Sequence, residues 1–283
     1  MATSLNPYIS KFDEGFDVEQ SSNYKMTIQF SLGGLSFALL DTRTKRIIGL
    51  ECHQTSFADG LETFPVLERA LDSKGLNNNT LQSITCLIDE RTNIIIPEPL
   101  HHSEDDGVLL GFHHQIPSGS MEMTDRIEMI HGVNRFTLPK ALHDSILSHW
   151  EKATITHSSS VFIDSSLNYA PEGKAAFVNV RSRDFDMLIV DDGKLLFFNN
   201  FKFNTKADFA YFLLFALEQN HFSALDHPVC FSGLILSNSE IVELCSRYIR
   251  HLLFIEDRHE LYVSQALDDV PFQYYHLLYQ SLR

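Results

Sequence analysis

The chain has 283 residues, 44% of them hydrophobic and 21% charged, so it is long enough for two globular domains of ordinary size. Acidic residues outnumber basic ones by 37 to 22, and a formal charge of -15 argues against nucleic acid as a partner, because such a surface repels a phosphate backbone. The first residues lack the basic and apolar segments of a signal peptide, and no apolar run is long enough for a membrane span. We therefore expect a cytoplasmic protein without membrane insertion.

The first predicted elements follow an N-terminal extension over residues 1–24. Three strands are indicated by "MTIQFSLGG", "LSFALLDT" and "RIIGLECHQ", which are apolar runs separated by turn residues. "FADGLETFPVLERALDSKGL" has apolar residues at helical spacing and leads to the strand "SITCLID". A second helix, "TLPKALHDSILSHW", and the strand "TITHS" complete a first domain over residues 25–170.

A histidine-rich segment, "PLHHSEDDGVLLGFHHQ", lies between these elements. We expect a polar hairpin that turns at "SEDDG", with His102 and His113 facing each other across it. Two such histidines allow a surface metal site, but incidental histidines at a hairpin tip are the favoured interpretation, because neighbouring residues on a strand point to opposite faces. We predict no metal site.

The second half, residues 171–283, repeats the order of the first. "AAFVNVRSR", "DFDMLIVDD" and "KLLFFNNFKF" are followed by the helix "NTKADFAYFLLFALEQNHF" and the strand "HPVCFSGLIL". A further helix in "SNSEIVELCSRYIR" is predicted to begin with Ser237 or Asn238 as its N-cap, and "HLLFI" reads as the last strand. The repeat indicates an internal duplication; the alternative is two unrelated α/β domains whose runs match by chance.

Three consecutive strands followed by alternating helices and strands predict a mixed sheet with helices on its faces. Two such units in tandem resemble the actin-like ATPase fold, in which two ribonuclease-H-like lobes of order βββαβαβα clamp a nucleotide. The resemblance is nearest to a bacterial family of unknown function with this fold. The terminal aromatic stretch "VPFQYYHLLYQSLR" is expected to cap the second lobe, or otherwise to offer a patch to a partner.

The resemblance implies a first phosphate loop of the form D-x-G-x-x-x-[ST] in the first hairpin. Gly33 falls at the glycine of this motif, and Gly34 and Ser36 keep the loop small and polar. Ser31 stands where the resemblance places the metal-facing aspartate. The loop is either a weak anion site or an inherited tight turn, and we favour the turn.

The resemblance also implies a second D-x-G loop and a small-residue turn on the adenosine side. Asn179 and Arg181 replace the aspartate and glycine of the second loop, and Ser232-Gly233 falls at the adenosine-side turn. Arg181 and Arg183 have the chemistry to bind a phosphate, although paired arginines on a turn are more often solvated.

These replacements predict a catalytically degenerate protein that serves as an interaction or scaffold module, with an unidentified protein partner. The cleft between lobes would bind ATP with Mg²⁺, or another anion, only weakly. One alternative is a functional Mg-dependent ATPase or small-molecule kinase whose metal is held by Asp41, Asp164 or Asp191. Another is a self-associating actin-like protein.

Overall fold

The computed structural model describes residues 7–31, 33–54, 63–76, 81–101, 106–256 and 261–283. These residues form two compact units, each with its own sheet. The first contains the described residues up to 161 together with 261–270 and 277–283; the second contains 162–256 and 271–276. The domain boundaries expected after residues 24 and 170 stay a prediction. None of the described helices is both long and apolar enough to cross a membrane.

The main sheet of the first unit has the strand order β1-β4-β3-β2-β5-β9, with β15 paired to β4. Its strands are β1 (Ile9–Phe12), β2 (Tyr24–Ser31), β3 (Gly34–Asp41), β4 (Arg46–Gln54), β5 (Ser83–Asp89), β9 (Thr154–His157) and β15 (Tyr262–Val263). The first three predicted strands pair antiparallel; β5 then pairs parallel with β2, and β9 pairs parallel with β5. This is the mixed sheet that the strand and helix order predicts.

A separate three-stranded sheet, which the sequence analysis did not identify, lies between β5 and β9 in the chain. It has the order β6-β8-β7 and consists of β6 (Asn93–Pro97), β7 (Ser120–Ile127) and β8 (Gly132–Pro139). The predicted hairpin in the histidine-rich segment is wrong, since α2 (Asp106–His113) is a helix. His102 lies outside the described residues.

The sheet of the second unit has the order β12-β11-β10-β13-β14, which matches β4-β3-β2-β5-β9 strand for strand. It contains β10 (Lys174–Val180), β11 (Asp184–Asp191), β12 (Lys194–Lys202), β13 (Val229–Gly233) and β14 (Leu252–Phe254). The two sheets therefore share one strand order, and the internal duplication stays a prediction.

The helices cover these sheets with their apolar faces. They are α1 (Phe64–Ser73), α3 (Lys140–His149), α4 (Ser158–Tyr169), α5 (Lys206–Gln219), α6 (Glu240–Cys245) and α7 (His276–Gln280). The cap of α6 differs from the prediction, because Ser239 rather than Ser237 or Asn238 occupies the N-cap and accepts a hydrogen bond from the Val242 N–H.

The C-terminal stretch was expected to cap the second lobe, and this expectation is wrong for its last residues. Residues 277–283 pack within the first unit, where Leu278, Tyr279 and Leu282 are almost fully buried. The Lys25 ammonium donates a hydrogen bond to the backbone oxygen of Arg283 at 2.7 Å.

Candidate functional site

The first hairpin joins β2 to β3. Ser31, the last residue of β2, pairs with Gly34, the first residue of β3, across the ladder. The Ser31 hydroxyl donates a hydrogen bond of 3.1 Å to the backbone oxygen of Gly34. Ser31, at the position where the resemblance implies an aspartate, therefore uses its hydroxyl for a hydrogen bond across the hairpin.

The two glycines of this hairpin have different roles. Gly34 has a φ of +147°, and a β-carbon there would overlap the backbone oxygen of His53 on β4. A β-carbon at Gly33 would meet no atom within 4 Å. Ser36 lies on β3 beyond the turn, half-buried between Gln29 and Cys52. Gly34 is thus needed by the sheet itself, whereas Gly33 leaves open space.

A carboxylate that the sequence analysis missed lies beside this hairpin. Asp89 ends β5 and pairs in register with Ser31 of the neighbouring parallel strand. Its carboxylate is buried and accepts hydrogen bonds from the Ser158 hydroxyl at 2.8 Å and from the Gln29 amide at 3.3 Å. The carboxyl end of parallel strands is where open α/β sheets place ligands, so the acidic end of "SITCLID" was a usable signal.

A second carboxylate, Asp125 of β7, organises the start of α4. One of its oxygens accepts hydrogen bonds from the Thr156 hydroxyl, the His157 N–H and the Ser160 hydroxyl, at 2.9, 2.6 and 2.7 Å. The His157 ring lies between the Glu90 backbone oxygen, 2.9 Å from Nε2, and the Ser159 N–H, 3.1 Å from Nδ1. Because a carbonyl only accepts and an N–H only donates, the proton resides on Nε2.

Glu90 gives this region a perturbed acid. Burial raises the pKa of the Glu90 carboxyl above its ordinary value, and the charge of the adjacent Asp89 raises it further. A carboxyl of this kind beside a tight turn is a possible proton donor or acceptor. Among the described residues, however, no three acids, cysteines or histidines are placed to hold a metal ion together.

The acids proposed from sequence as metal ligands do not lie at the turns. Asp41 is seven residues along β3 from Gly34, which is about 23 Å at about 3.3 Å per residue, and it is ion-paired with Arg43. Asp191 is likewise at the far end of β11, paired in register with Lys174. These two positions are therefore wrong for a metal at either hairpin. Asp164 lies half-buried on α4.

The corresponding turn of the second unit is filled by an arginine. The Arg181 guanidinium donates to Asp184 at 2.6 Å and to both oxygens of Asp186 at 2.7 Å. The two carboxylates are almost fully buried, and the Asn200 amide also donates to Asp186. Arg183, in contrast, is exposed. Arg181 is thus engaged by its own strand pair, and this geometry is a structural clamp.

The adenosine-side turn lies next to Asn179. Ser232 pairs with Asn179 across β13 and β10, and its hydroxyl donates a hydrogen bond of 3.2 Å to the Asn179 side-chain oxygen. Gly233 has a φ of +81°, and a β-carbon there would overlap the backbone oxygen of Val180. The structure therefore brings Asn179, Ser232 and Gly233 together as a tightly packed strand end.

The second unit also carries a connected set of aromatic rings, three of which are half-buried against its core. We use the term aromatic surface for Phe197 and Phe201 of β12 and Tyr211, Phe212 and Phe215 of α5. Successive centroids are 6.3, 5.8, 5.4 and 5.9 Å apart from Phe197 through Phe201, Phe212 and Tyr211 to Phe215. Tyr211 is 62% and Phe215 46% exposed. Among the described strands β12 pairs only with β11, so this surface includes a sheet edge.

Comparison with solved structures defines the class of fold. A protein with actin-like ATPase fold and unknown function from Bacteroides thetaiotaomicron VPI-5482 matches with a TM-score of 0.74 and 19% identity, over 85% of this chain and 93% of that chain. A chain of the PilM-PilN type IV pilus biogenesis complex matches with a TM-score of 0.61 and 8% identity, over 91% of this chain and 97% of that chain. The chain has the actin-like ATPase fold, as the strand order indicated.

The family follows from the sequence match. The model of the family described as "Protein of unknown function (DUF3822)" matches residues 13–252, and the chain belongs to this family. A comparison with curated proteins gives no match.

Proposed function

We propose that the chain is a catalytically degenerate protein of the actin-like fold that acts by binding a protein partner through the aromatic surface. The aromatic surface is the observation that carries the proposal. Exposed clusters of tyrosine and phenylalanine are typical of protein interfaces, because large rigid rings bury much area at little entropic cost. The neighbouring edge of β12 adds backbone groups that can pair with a strand of the partner.

The first hairpin of each unit supports the proposal that the protein is catalytically degenerate. Ser31 offers a hydroxyl where the resemblance implies a metal-facing carboxylate, and its proton is directed to Gly34. Arg181 places a clamped guanidinium where the resemblance implies a glycine that lets the backbone approach a phosphate. Loss of one well-placed catalytic group typically lowers the rate about 100- to 1,000-fold, so two losses leave little turnover.

The fold has a precedent for such a role. The PilM-PilN type IV pilus biogenesis complex contains a chain of similar fold within an assembly of proteins. At 8% identity the precedent concerns the fold alone, and the partner of this chain is a separate question.

Partner binding is tested by replacing the two exposed aromatic residues of α5 with serine. The double substitution Tyr211→Ser with Phe215→Ser removes the exposed aromatic area while it leaves the buried face of the helix unchanged. The tagged chain is purified from its native cells, and the amount of each co-purifying protein is measured. We expect this amount to fall at least tenfold with the variant, which corresponds to a loss of about 1.4 kcal/mol in binding free energy.

Tyr248→Ser is the matched control, since Tyr248 is 54% exposed on the same unit outside the aromatic surface. The control is expected to retain the wild-type set of partners. The proposal fails if the double variant retains every partner of the wild type, or if the control loses them equally.

Nucleotide binding is tested separately by calorimetric titration with Mg-ATP. We expect a dissociation constant weaker than about 1 mM, which corresponds to about -4 kcal/mol. A micromolar constant that is lost in Gly33→Val would overturn the degenerate reading. This substitution is informative because a β-carbon at Gly33 meets no neighbour and so does not disturb the hairpin.

A second candidate function is Mg-dependent phosphoryl transfer, an ATPase or small-molecule kinase, and Asp89 is the observation that favours it. A carboxylate at the end of β5, in register with Ser31, is suitably placed to hold a metal through water. ATP hydrolysis by the wild type that falls at least about 100-fold in Asp89→Asn would support this candidate. Turnover that is absent, or unchanged by the substitution, would exclude a role of Asp89.

Self-association is a third candidate because β12 leaves an edge for a second copy. Leu196 of this strand is 50% exposed, and a charge there opposes strand pairing. Sedimentation of wild type and Leu196→Lys, with and without nucleotide, tests it: oligomers that dissociate in the variant support self-association, and a monomer at all concentrations excludes it.

A further inference from the structure

A pocket of about 260 Å³ lies within the first unit. It is bounded by β1, β4 and α1, and its polar lining consists of Ser10, Glu51, His53, Arg69, Ser73 and Lys74. Since one water occupies about 30 Å³, this volume corresponds to about nine waters, the size of a small metabolite. Val66 and Ala70 of α1 supply apolar wall.

Glu51 is the buried charge of this pocket, with only 2% of the residue exposed. One carboxylate oxygen accepts a hydrogen bond of 2.7 Å from the Ser10 hydroxyl and lies 3.3 Å from the Lys74 ammonium. The other oxygen lies 2.9 Å from Nε2 of His53. Burial acts to raise the pKa of Glu51, but the hydrogen bonds of His53 and Ser10 and the charge of Lys74 outweigh it and lower the pKa.

The contact with Glu51 orients the ring of His53. An ionised carboxylate only accepts hydrogen bonds, so Nε2 donates to Glu51, and in the tautomer with its proton on Nε2 the Nδ1 atom is an acceptor. The ring is 5% exposed, and no side chain or backbone group of the described residues bonds to Nδ1. His53 therefore supplies an acceptor, Nδ1, on a ring that the Glu51 carboxylate holds in place.

Among the described residues that line the pocket, the cations exceed the acids by one. Lys74 lies against Glu51 and also packs over the Phe12 ring at 4.4 Å, so its charge is balanced and its position is set. Arg69 donates from Nε to the backbone oxygen of Pro65 at 3.0 Å, and its guanidinium has no ion pair among the described residues. The outer nitrogens of Arg69 remain suited to an oxyanion.

We propose that this pocket binds a small oxyanion that carries its own O–H donor, either hydrogen phosphate or a hydroxycarboxylate. The anionic oxygens contact Arg69 and Lys74, and the hydroxyl donates to Nδ1 of His53. An oxyanion without such a hydrogen leaves Nδ1 of His53 unpaired and places oxygen lone pairs next to it. Sites built to pair with a hydroxyl discriminate strongly against analogues that lack it.

The test is calorimetric titration of the full chain near neutral pH with four probes: inorganic phosphate, sulfate, lactate and acetate. We expect phosphate or lactate to bind at least about tenfold more tightly than the matched anion without a hydroxyl, which is sulfate for phosphate and acetate for lactate. Binding of phosphate alone assigns a phosphate ligand, and binding of lactate alone assigns a hydroxycarboxylate.

Variants identify the residues that bind. Arg69→Gln is expected to weaken binding at least about tenfold, whereas Arg126→Gln, an exposed arginine of the same unit that does not line the pocket, leaves it unchanged. In the wild type, the ¹⁵N resonance of His53 Nδ1 is expected to shift on addition of the probe that binds. Thermal unfolding of each variant verifies that it is folded.

Three results would overturn the proposal. One is the absence of binding by all four probes up to about 50 mM. Another is sulfate and acetate binding as tightly as phosphate and lactate. The third is binding that is unchanged in a folded Arg69→Gln protein.

Discussion

The two units close their first hairpin in opposite ways although their sheets share one strand order. In the first unit Ser31 pairs with Gly34 across the hairpin, and its hydroxyl donates a hydrogen bond to the Gly34 backbone oxygen. In the second unit Arg181 crosses the turn and pairs with the buried Asp184 and Asp186. The comparison shows that the first hairpin of the same strand order can be stabilised in two ways: by close packing of the backbone at a glycine, or by a buried ion cluster.

The largest effect is expected when the cluster of the second unit loses its cation. Arg181→Ala leaves Asp184 and Asp186 as buried carboxylates without the guanidinium, and removal of one partner of a buried pair costs about 3–5 kcal/mol. Denaturant unfolding of the variant measures this loss of free energy. Arg183→Ala is the control, because Arg183 is exposed on the same turn and should change stability by less than about 0.5 kcal/mol. Equal effects of the two substitutions would show that the clamp does not stabilise the turn.

A smaller effect is expected at the first hairpin. Gly34→Ala forces a β-carbon onto the backbone oxygen of His53 at a φ of +147°, and we expect a loss of about 2–3 kcal/mol in the free energy of unfolding. Gly33→Ala meets open space one residue earlier and should stay within about 0.5 kcal/mol of the wild type. A reversed order of the two variants in thermal or denaturant unfolding would contradict the packing described here.

The smallest effect concerns Glu90, beside the first hairpin. The pKa of Glu90 is raised in the folded protein, so the folded state binds this proton more tightly than the unfolded chain does. The free energy of unfolding therefore declines as the pH rises from the ordinary pKa of glutamate to the raised value. Glu90→Gln removes the cost of ionisation. We expect it to raise the melting temperature slightly at neutral pH and to leave it unchanged at a pH below the ordinary value for glutamate.

Melting curves of wild type and Glu90→Gln across this pH range provide the measurement. A stabilisation that persists equally at low pH would indicate a cause other than ionisation. Asp208→Asn offers a contrast in the second unit, because hydrogen bonds from the backbone of Asn204 and Thr205 lower the pKa of Asp208. Its carboxylate contributes stability above the ordinary pKa of aspartate, and this contribution is lost as the pH falls through the lowered value.

The fold was largely predictable because its signals are local. The three strand runs of each half appear as β2 to β4 and β10 to β12, and the helices after them appear as α1 and α5. The histidine-rich segment misled because "DGVLLGFHH" has the apolar content of either a strand or a helix, and its length did not decide between them.

The site was less predictable because it depends on pairing between distant residues. Ser31 and Asp89 are 58 positions apart and meet only through the parallel register of β2 and β5. Arg181 looked like a possible anion ligand, since nothing in the sequence indicates that the pleat brings Asp184 and Asp186 to its guanidinium. Ser10 and Glu51 likewise meet only through the pairing of β1 with β4, and Lys74 contacts Glu51 from the end of α1; no local sequence pattern indicates either contact.

The last turn of the chain determines the order in which the protein can assemble. Residues 277–283 bury Leu278 and Leu282 in the first unit but leave the ribosome after every residue of the second. The second unit is thus inserted into the chain of the first, and the first cannot complete its core until synthesis has passed residue 282. During translation, the half that begins earlier is the half that finishes later.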